Sequence, residues 1–85
     1  MNLEIYSKDW CPYCKKAKAL LQAENVSYTE IDITQDQERE KEMIERSGRR
    51  TVPQIFLDGR NLGGFDDLYA LRSQGPLADV LGGNS

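Results

Sequence analysis

Leu3-Glu4-Ile5-Tyr6-Ser7 alternates with a period of two, which predicts a strand with Leu3 and Ile5 on one face. Lys8-Asp9-Trp10 reads as a loop, and Pro12 suits the first turn of a helix, where its missing N–H costs nothing. From Tyr13 to Glu24 helix formers dominate, and Cys14, Ala17, Leu20 and Leu21 fall along one stripe. Asn25 ends that helix, and Val26 to Ile33 alternates again as a second strand. Asp36 through Arg46 predicts a charged helix with a thin apolar face, Met43 and Ile44, and Gly48 as its stop. Pro53-Gln54-Ile55-Phe56-Leu57 is a third strand, Asp58-Gly59 a hairpin turn and Asn61-Leu62-Gly63 a short returning edge strand. Asp66 to Ser73 predicts a helix burying Leu68, Tyr69 and Leu71, stopped by Gly75-Pro76; the rest, to Ser85, reads as a partly ordered tail.

Two strands joined by a helix imply a parallel, right-handed crossover, and the hairpin adds antiparallel strands to the same sheet. The expected fold is therefore α/β: a thioredoxin-like, mixed four-stranded sheet flanked by three main helices. A chain of 85 residues has room for one core, so residues 1–85 are expected to form a single domain.

Composition narrows the partners. No apolar run approaches the roughly 20 residues of a membrane helix. Met1-Asn2-Leu3-Glu4 lacks the basic and apolar parts of a secretory signal, so a cytoplasmic, membrane-free protein is expected. A net charge of −3 weighs against nucleic-acid binding. The charge is uneven, however: Lys8, Lys15, Lys16 and Lys18 surround the two cysteines, while acids dominate from Glu30 to Glu45. Such a basic field suits an anionic substrate, though by charge alone the same lysines read first as an ordinary solvated helix face.

With two cysteines and no histidine, the chain cannot close a zinc site or build a histidine-based nucleophilic centre. A bridge closing so small a loop constrains the unfolded chain little, so a scaffold disulfide is not the use of this pair. Redox chemistry remains, and no metal site is expected. Cys11 ends a loop and begins a helix, and Cys14 follows three residues later on the same face, a spacing that permits a reversible disulfide. The unpaired N–H groups at a helix start favour a thiolate at Cys11, and Lys8 could add to that. Cys14, further into the helix, is expected to stay a thiol until it resolves a mixed disulfide. Pro12 stiffens the turn. Tyr13 offers either a flat wall over a bound thiol adduct or an ordinary exposed aromatic.

Cys11-Pro12-Tyr13-Cys14 is similar to the active-site motif of dithiol glutaredoxins, Thr51-Val52-Pro53 resembles their cis-proline segment, and Gly63-Gly64-Phe65-Asp66-Asp67 their glycine-rich turn. The likeness covers nearly the whole chain and is greatest to the short bacterial glutaredoxins of the third type. It implies that Cys11 and Cys14 are catalytic, that glutathione is the reducing cosubstrate, and that no cofactor is tightly bound. It further implies a monomer acting on glutathionylated or disulfide-containing proteins, ribonucleotide reductase among them. For glutathione it implies a site of Lys8, Tyr13, Thr51, Val52, Pro53, Gly64, Phe65, Asp66 and Asp67: Val52 pairs with the cysteinyl part, and the glycine-rich turn cradles the γ-glutamyl end. Arg39, Arg49 and Gln54 are further candidates for the glycyl carboxylate. Read without the resemblance, Pro53 could simply start a strand, and Gly63-Gly64 with an Asp could be a plain turn and helix cap. Phe65 stands where many glutaredoxins have cysteine, and the Gly64-Phe65 pair resembles that of glutaredoxin-like proteins reduced by thioredoxin reductase, whereas Asp66-Asp67 speaks for glutathione. A third reading is a dimer holding an iron–sulfur cluster through Cys11 and glutathione; Pro12 counts against it.

Overall fold

A computed structural model describes residues 2–82. Strands β1 (Leu3–Ser7), β2 (Thr29–Asp32), β3 (Gln54–Leu57) and β4 (Arg60–Gly63) form one sheet in the order β2-β1-β3-β4. β1 is parallel to β2 and antiparallel to β3, and β3 is antiparallel to β4. The expected mixed sheet is present. Helices α1 (Pro12–Ala23), α2 (Gln37–Ser47), α3 (Phe65–Arg72) and α4 (Leu77–Gly82) cover it.

The period-two pattern sorts the core onto two faces. Leu3, Ile5, Ile55 and Leu57 point to one side and are buried with Ala17 and Leu21 of α1, Leu68 of α3, and Leu77 and Leu81 of α4. Tyr6 and Phe56, one residue out of step, point to the other side and meet Met43 of α2 and Ile33. There the Tyr6 and Phe56 rings meet edge to face at 5.5 Å, and the Arg46 guanidinium lies 4.1 Å from the Phe56 ring centre. Arg46 also donates to the Tyr6 hydroxyl at 2.7 Å, and that hydroxyl donates to Glu42. The thin apolar face of α2 suffices because a cation and a carboxylate complete this smaller core.

Local chemistry sets the element ends. Asp36 accepts from the Arg39 N–H at 3.0 Å as the cap of α2, and Gly48 ends that helix with a left-handed φ of 74°. Asp58 and Gly59 both have positive φ, 50° and 87°, as a two-residue hairpin turn with right-handed strand twist requires. β2 is shorter than the alternation from Val26 predicts. Asn25 turns left-handed at φ 57° and the Val26 N–H is drawn back to the Leu21 carbonyl at 2.9 Å, so pairing begins only at Thr29.

Two expectations need correction. Residues 77–82 are helix α4 rather than tail; the rest of the expected tail, 83–85, lies outside the described residues. A helix of six residues is too short to persist alone. It is held by burial of Leu77 and Leu81, each contributing roughly 1.5–3 kcal/mol, and by Glu24 of α1. The Glu24 carboxylate accepts from the Leu77 N–H at 2.9 Å and from Arg72 Nε at 3.1 Å, and these two bonds hold its pKa below the usual carboxylate range. Tyr69, expected in the core, is 58% exposed. Leu68 takes the sheet-facing position of α3, and its neighbour Tyr69 is turned about 100° around the helix away from it.

Candidate active site

Cys11 is the N-cap of α1, with Pro12 in the first helical position. Its Sγ accepts from the Cys14 N–H at 3.2 Å and lies 3.6 Å from the Val52 carbonyl oxygen, to which the thiol can donate. The sulfur therefore sits where helix α1 starts and the Thr51-Val52-Pro53 segment passes. Its exposure is only 4%, so a partner must reach it along a defined path. Cys14 is fully buried, and burial first, then its hydrogen bond with Cys11, pushes its thiol up to about 12. The two sulfurs thus differ in the way their places on the helix suggest: one caps the helix start beside Val52, the other lies fully buried one turn on, where its surroundings favour the thiol. Both are free thiols.

A groove of about 290 Å³ opens beside this centre. One wall is Thr51, Val52, Pro53 and Gln54, the other Gly64, Phe65, Asp66 and Asp67, and Tyr13 and Arg49 complete it. The Val52–Pro53 bond is cis. Among the described residues the Val52 N–H has no hydrogen-bond partner, which leaves an edge able to pair with an extended chain. Gln54, named as a carboxylate holder, has its amide committed elsewhere. Its Nε2 donates to the Thr51 carbonyl and hydroxyl at 3.0 and 3.2 Å, and its Oε1 accepts from Asn61 at 3.2 Å. It is a buried brace that holds the Thr51 turn to β4. Asn61 as its anchor had no signal in the chain.

The second wall is set by a bulge. Ile55 pairs with Gly63 and Phe56 with Asn61, so Leu62 is the extra residue on β4. Gly63 then turns at a φ of 107°, where a Cβ would come 2.1 Å from Asp67 Oδ2. Gly64 has an ordinary φ, and a Cβ there would stand 3.4 Å from the Pro53 carbonyl oxygen, an ordinary van der Waals contact across the groove. Of the two glycines, Gly63 is the one whose torsion and surroundings require glycine. Beyond them α3 begins at Phe65, and its first residues, Phe65, Asp66 and Asp67, line the groove; the start of a helix favours an anion.

The structure divides the acidic pair. Asp67 accepts from the Gly64 N–H at 3.0 Å and lies 3.8 Å from Arg49, so it is already a helix cap. Asp66 is exposed and has no hydrogen bond or ion pair among the described residues. Of the other candidates, Lys8 is not in the groove wall: its ammonium pairs with Glu40 at 3.2 Å and lies 5.6 Å from the Trp10 ring centre. Arg39 lies on α2, paired with Glu42 at 3.0 Å. The basic field around the cysteines is reduced as well, because Lys18 is paired with Glu30 at 2.7 Å. Arg49 is the cation that does line the groove.

The glutaredoxin family profile matches residues 3–62, which include the Cys11–Cys14 helix start, the Thr51–Pro53 segment and the sheet that carries them. The chain belongs to the glutaredoxin family. It is 54% identical over 80 residues to Glutaredoxin 3 of Escherichia coli strain K12, spanning 94% of this chain and 96% of that one. Among solved structures, glutaredoxin from Brucella melitensis is 45% identical with a TM-score of 0.82, over 100% of this chain and 92% of its own. A buckwheat glutaredoxin–glutathione complex is 28% identical with a TM-score of 0.84, over 95% of this chain and 76% of its own. Membership of the glutaredoxin family implies thiol–disulfide oxidoreductase activity, and the spacing of Cys11 and Cys14 at the start of α1 fits the CXXC pattern of such enzymes. No helix among the described residues is long and apolar enough to cross a membrane.

Proposed function

We propose that this glutaredoxin reduces glutathionylated proteins and protein disulfides through Cys11 and Cys14, with glutathione as the electron donor. The observation that carries this reading is one juxtaposition. The unpartnered Val52 backbone edge and the N-terminus of α3 line a single groove, and the Cys11 sulfur lies beside it, 3.6 Å from the Val52 carbonyl oxygen. A γ-glutamyl tripeptide fits such a groove end to end. Its cysteinyl amide pairs with Val52, its α-carboxylate meets the first N–H groups of α3 and its ammonium meets the Asp66 carboxylate, with Arg49 beside Asp67 at that same end. Tyr13 and Phe65, with rings 6.1 Å apart, flank the adduct. The buckwheat relative was solved with glutathione, which supports the choice of donor.

In the monothiol reaction the Cys11 thiolate attacks the glutathionyl sulfur of a protein mixed disulfide. The protein leaves as a thiolate that takes up a proton, and Cys11 carries the glutathione. The thiolate of a second glutathione attacks the adduct, releasing oxidised glutathione and restoring the Cys11 thiolate. The Cys14 N–H, 3.2 Å from Cys11 Sγ, stabilises that thiolate each time it is the leaving group. With a protein disulfide, Cys11 instead forms a mixed disulfide, which Cys14 resolves by losing its proton and attacking Cys11 Sγ. Two glutathiones then reduce the resulting Cys11–Cys14 bridge. A thiol pushed up to about 12 does not compete with Cys11 for the first attack.

Cys11→Ser is expected to abolish both reactions. Cys14→Ser is expected to keep deglutathionylation and lose most reduction of protein disulfides. Turnover is measured with glutathione and glutathione reductase, and in parallel with thioredoxin reductase in their place. Robust deglutathionylation by Cys11→Ser overturns the assignment, and efficient turnover only with thioredoxin reductase overturns the donor.

A further inference from the structure

Beyond the groove, three aromatic rings continue across the outer seam between α1 and α3. Tyr13 lies 6.1 Å from Phe65, and Phe65 lies 5.8 Å from Tyr69, one turn further along α3. Tyr13 and Tyr69 are 54% and 58% exposed, so this is apolar surface that the core does not claim. Lys16 borders the seam with its ammonium 5.0 Å from the Tyr13 ring centre, and it has no ion pair among the described residues. Tyr13 and Phe65 belong to both the groove and the seam, which makes the seam a continuation of the groove.

Glutathione has no apolar side chain to extend past Tyr13 and Phe65 onto Tyr69, which is not part of the groove lining. A polypeptide attached through its own cysteine to Cys11 extends beyond the groove and can reach Tyr69. We propose that the Tyr13–Phe65–Tyr69 seam is a specificity site for the polypeptide substrate, seating an aromatic side chain close to the target cysteine, with Lys16 receiving an adjacent acidic residue. Ring-on-ring contact supplies the preference, and the unpaired ammonium supplies its charge sense. The proposal rests on the groove being the substrate path.

The test uses two disulfide-looped peptides that differ only beside their cysteines, Phe-Asp in one and Ala-Asn in the other, with bis(hydroxyethyl) disulfide as a probe too small to reach the seam. The intact protein is expected to favour the Phe-Asp peptide in kcat/KM by about 2- to 12-fold, the span of one aromatic contact. Tyr69→Ser is expected to remove most of that preference. Lys16→Gln is expected to remove the part that fades with added salt. Both should leave turnover of the small disulfide unchanged. Absence of a preference in the intact protein, or a preference that survives Tyr69→Ser, overturns the proposal. Sedimentation that finds a dimer dissociated by Tyr69→Ser assigns the seam to a second copy and also overturns it. Failure of the small disulfide to turn over in the intact protein removes the redox reading itself, and the seam's role with it.

Discussion

Asp66 and Asp67 are adjacent, equally charged and both at the start of α3, yet their surroundings call for opposite phenotypes. Asp67 Oδ2 accepts from the Gly64 N–H at 3.0 Å, and its pairing with Arg49 at 3.8 Å joins two side chains that are each about half exposed, 51% and 57%. Such an exposed pair contributes little, so the cap dominates. Asp67→Ala should cost about 1 kcal/mol, as loss of a helix-terminal acceptor does, and lower Tm by about 4–8 °C in a chain of this size. Asp66 has no partner to lose, and Asp66→Asn should leave Tm nearly unchanged. In the glutathione step the order reverses. A charge-assisted bond to the donor's ammonium contributes roughly 1.5–3 kcal/mol, and exposure to water pulls Asp66 to the low end, about a 10-fold loss. The assay is the ratio of glutathione turnover to turnover with a neutral thiol such as mercaptoethanol, alongside thermal unfolding. A neutral thiol needs no carboxylate, so the ratio isolates recognition from sulfur chemistry. If Asp67→Ala lowered the ratio tenfold while Asp66→Asn left it intact, the ammonium would belong to Asp67. If neither moved it, the acidic pair would be a helix start alone and the glutathione pose would be wrong.

Two further expectations concern the same site. Because the Cys14 thiol is pushed up to about 12, the folded chain keeps a proton that the unfolded chain loses near the ordinary thiol range of roughly 8.5. Its contribution to stability is complete below that range and is lost as pH rises towards about 12, at up to roughly 1.4 kcal/mol per pH unit. Urea unfolding between pH 8 and 11 should show a shallower alkaline decline for Cys14→Ser than for the native chain, and equal slopes would contradict the shift. Gly63→Ala should be costlier than its size suggests, since a Cβ would meet Asp67 Oδ2 at 2.1 Å and Cγ at 2.6 Å in a left-handed backbone. Backbone strain of roughly 1–3 kcal/mol and loss of the Asp67 cap should both appear in chemical denaturation; a change under 0.5 kcal/mol would contradict this account of the glycine.

Much of the fold was legible because its signals are local. The alternation of Leu3 and Ile5, the proline at the start of α1, Gly48 and the Asp58-Gly59 turn each act within a few residues, and all do in the structure what their chemistry predicts. The cysteine pair was legible for the same reason, as three residues and a helix start define its geometry. Beyond the pair, the groove's two walls were anticipated through the family resemblance, and their residues do come together. What the chain could not reveal were choices between chemically equal residues. Tyr69 and Leu68 are both apolar and adjacent, and only the packing of α3 against the sheet decided that Leu68 goes in while Tyr69 joins an exposed seam. Asp66 and Asp67 were indistinguishable until the turn at Gly63 brought one carboxylate back to Gly64. Lys8 stood beside the cysteines in the chain, yet Glu40, 32 residues away, holds its charge. Gln54 looked free until Asn61 across the hairpin took its amide. Short-range torsion and hydrophobic period belong to the sequence by itself. Which of several equivalent charges and rings faces the substrate was decided only when distant partners competed for them in the folded chain.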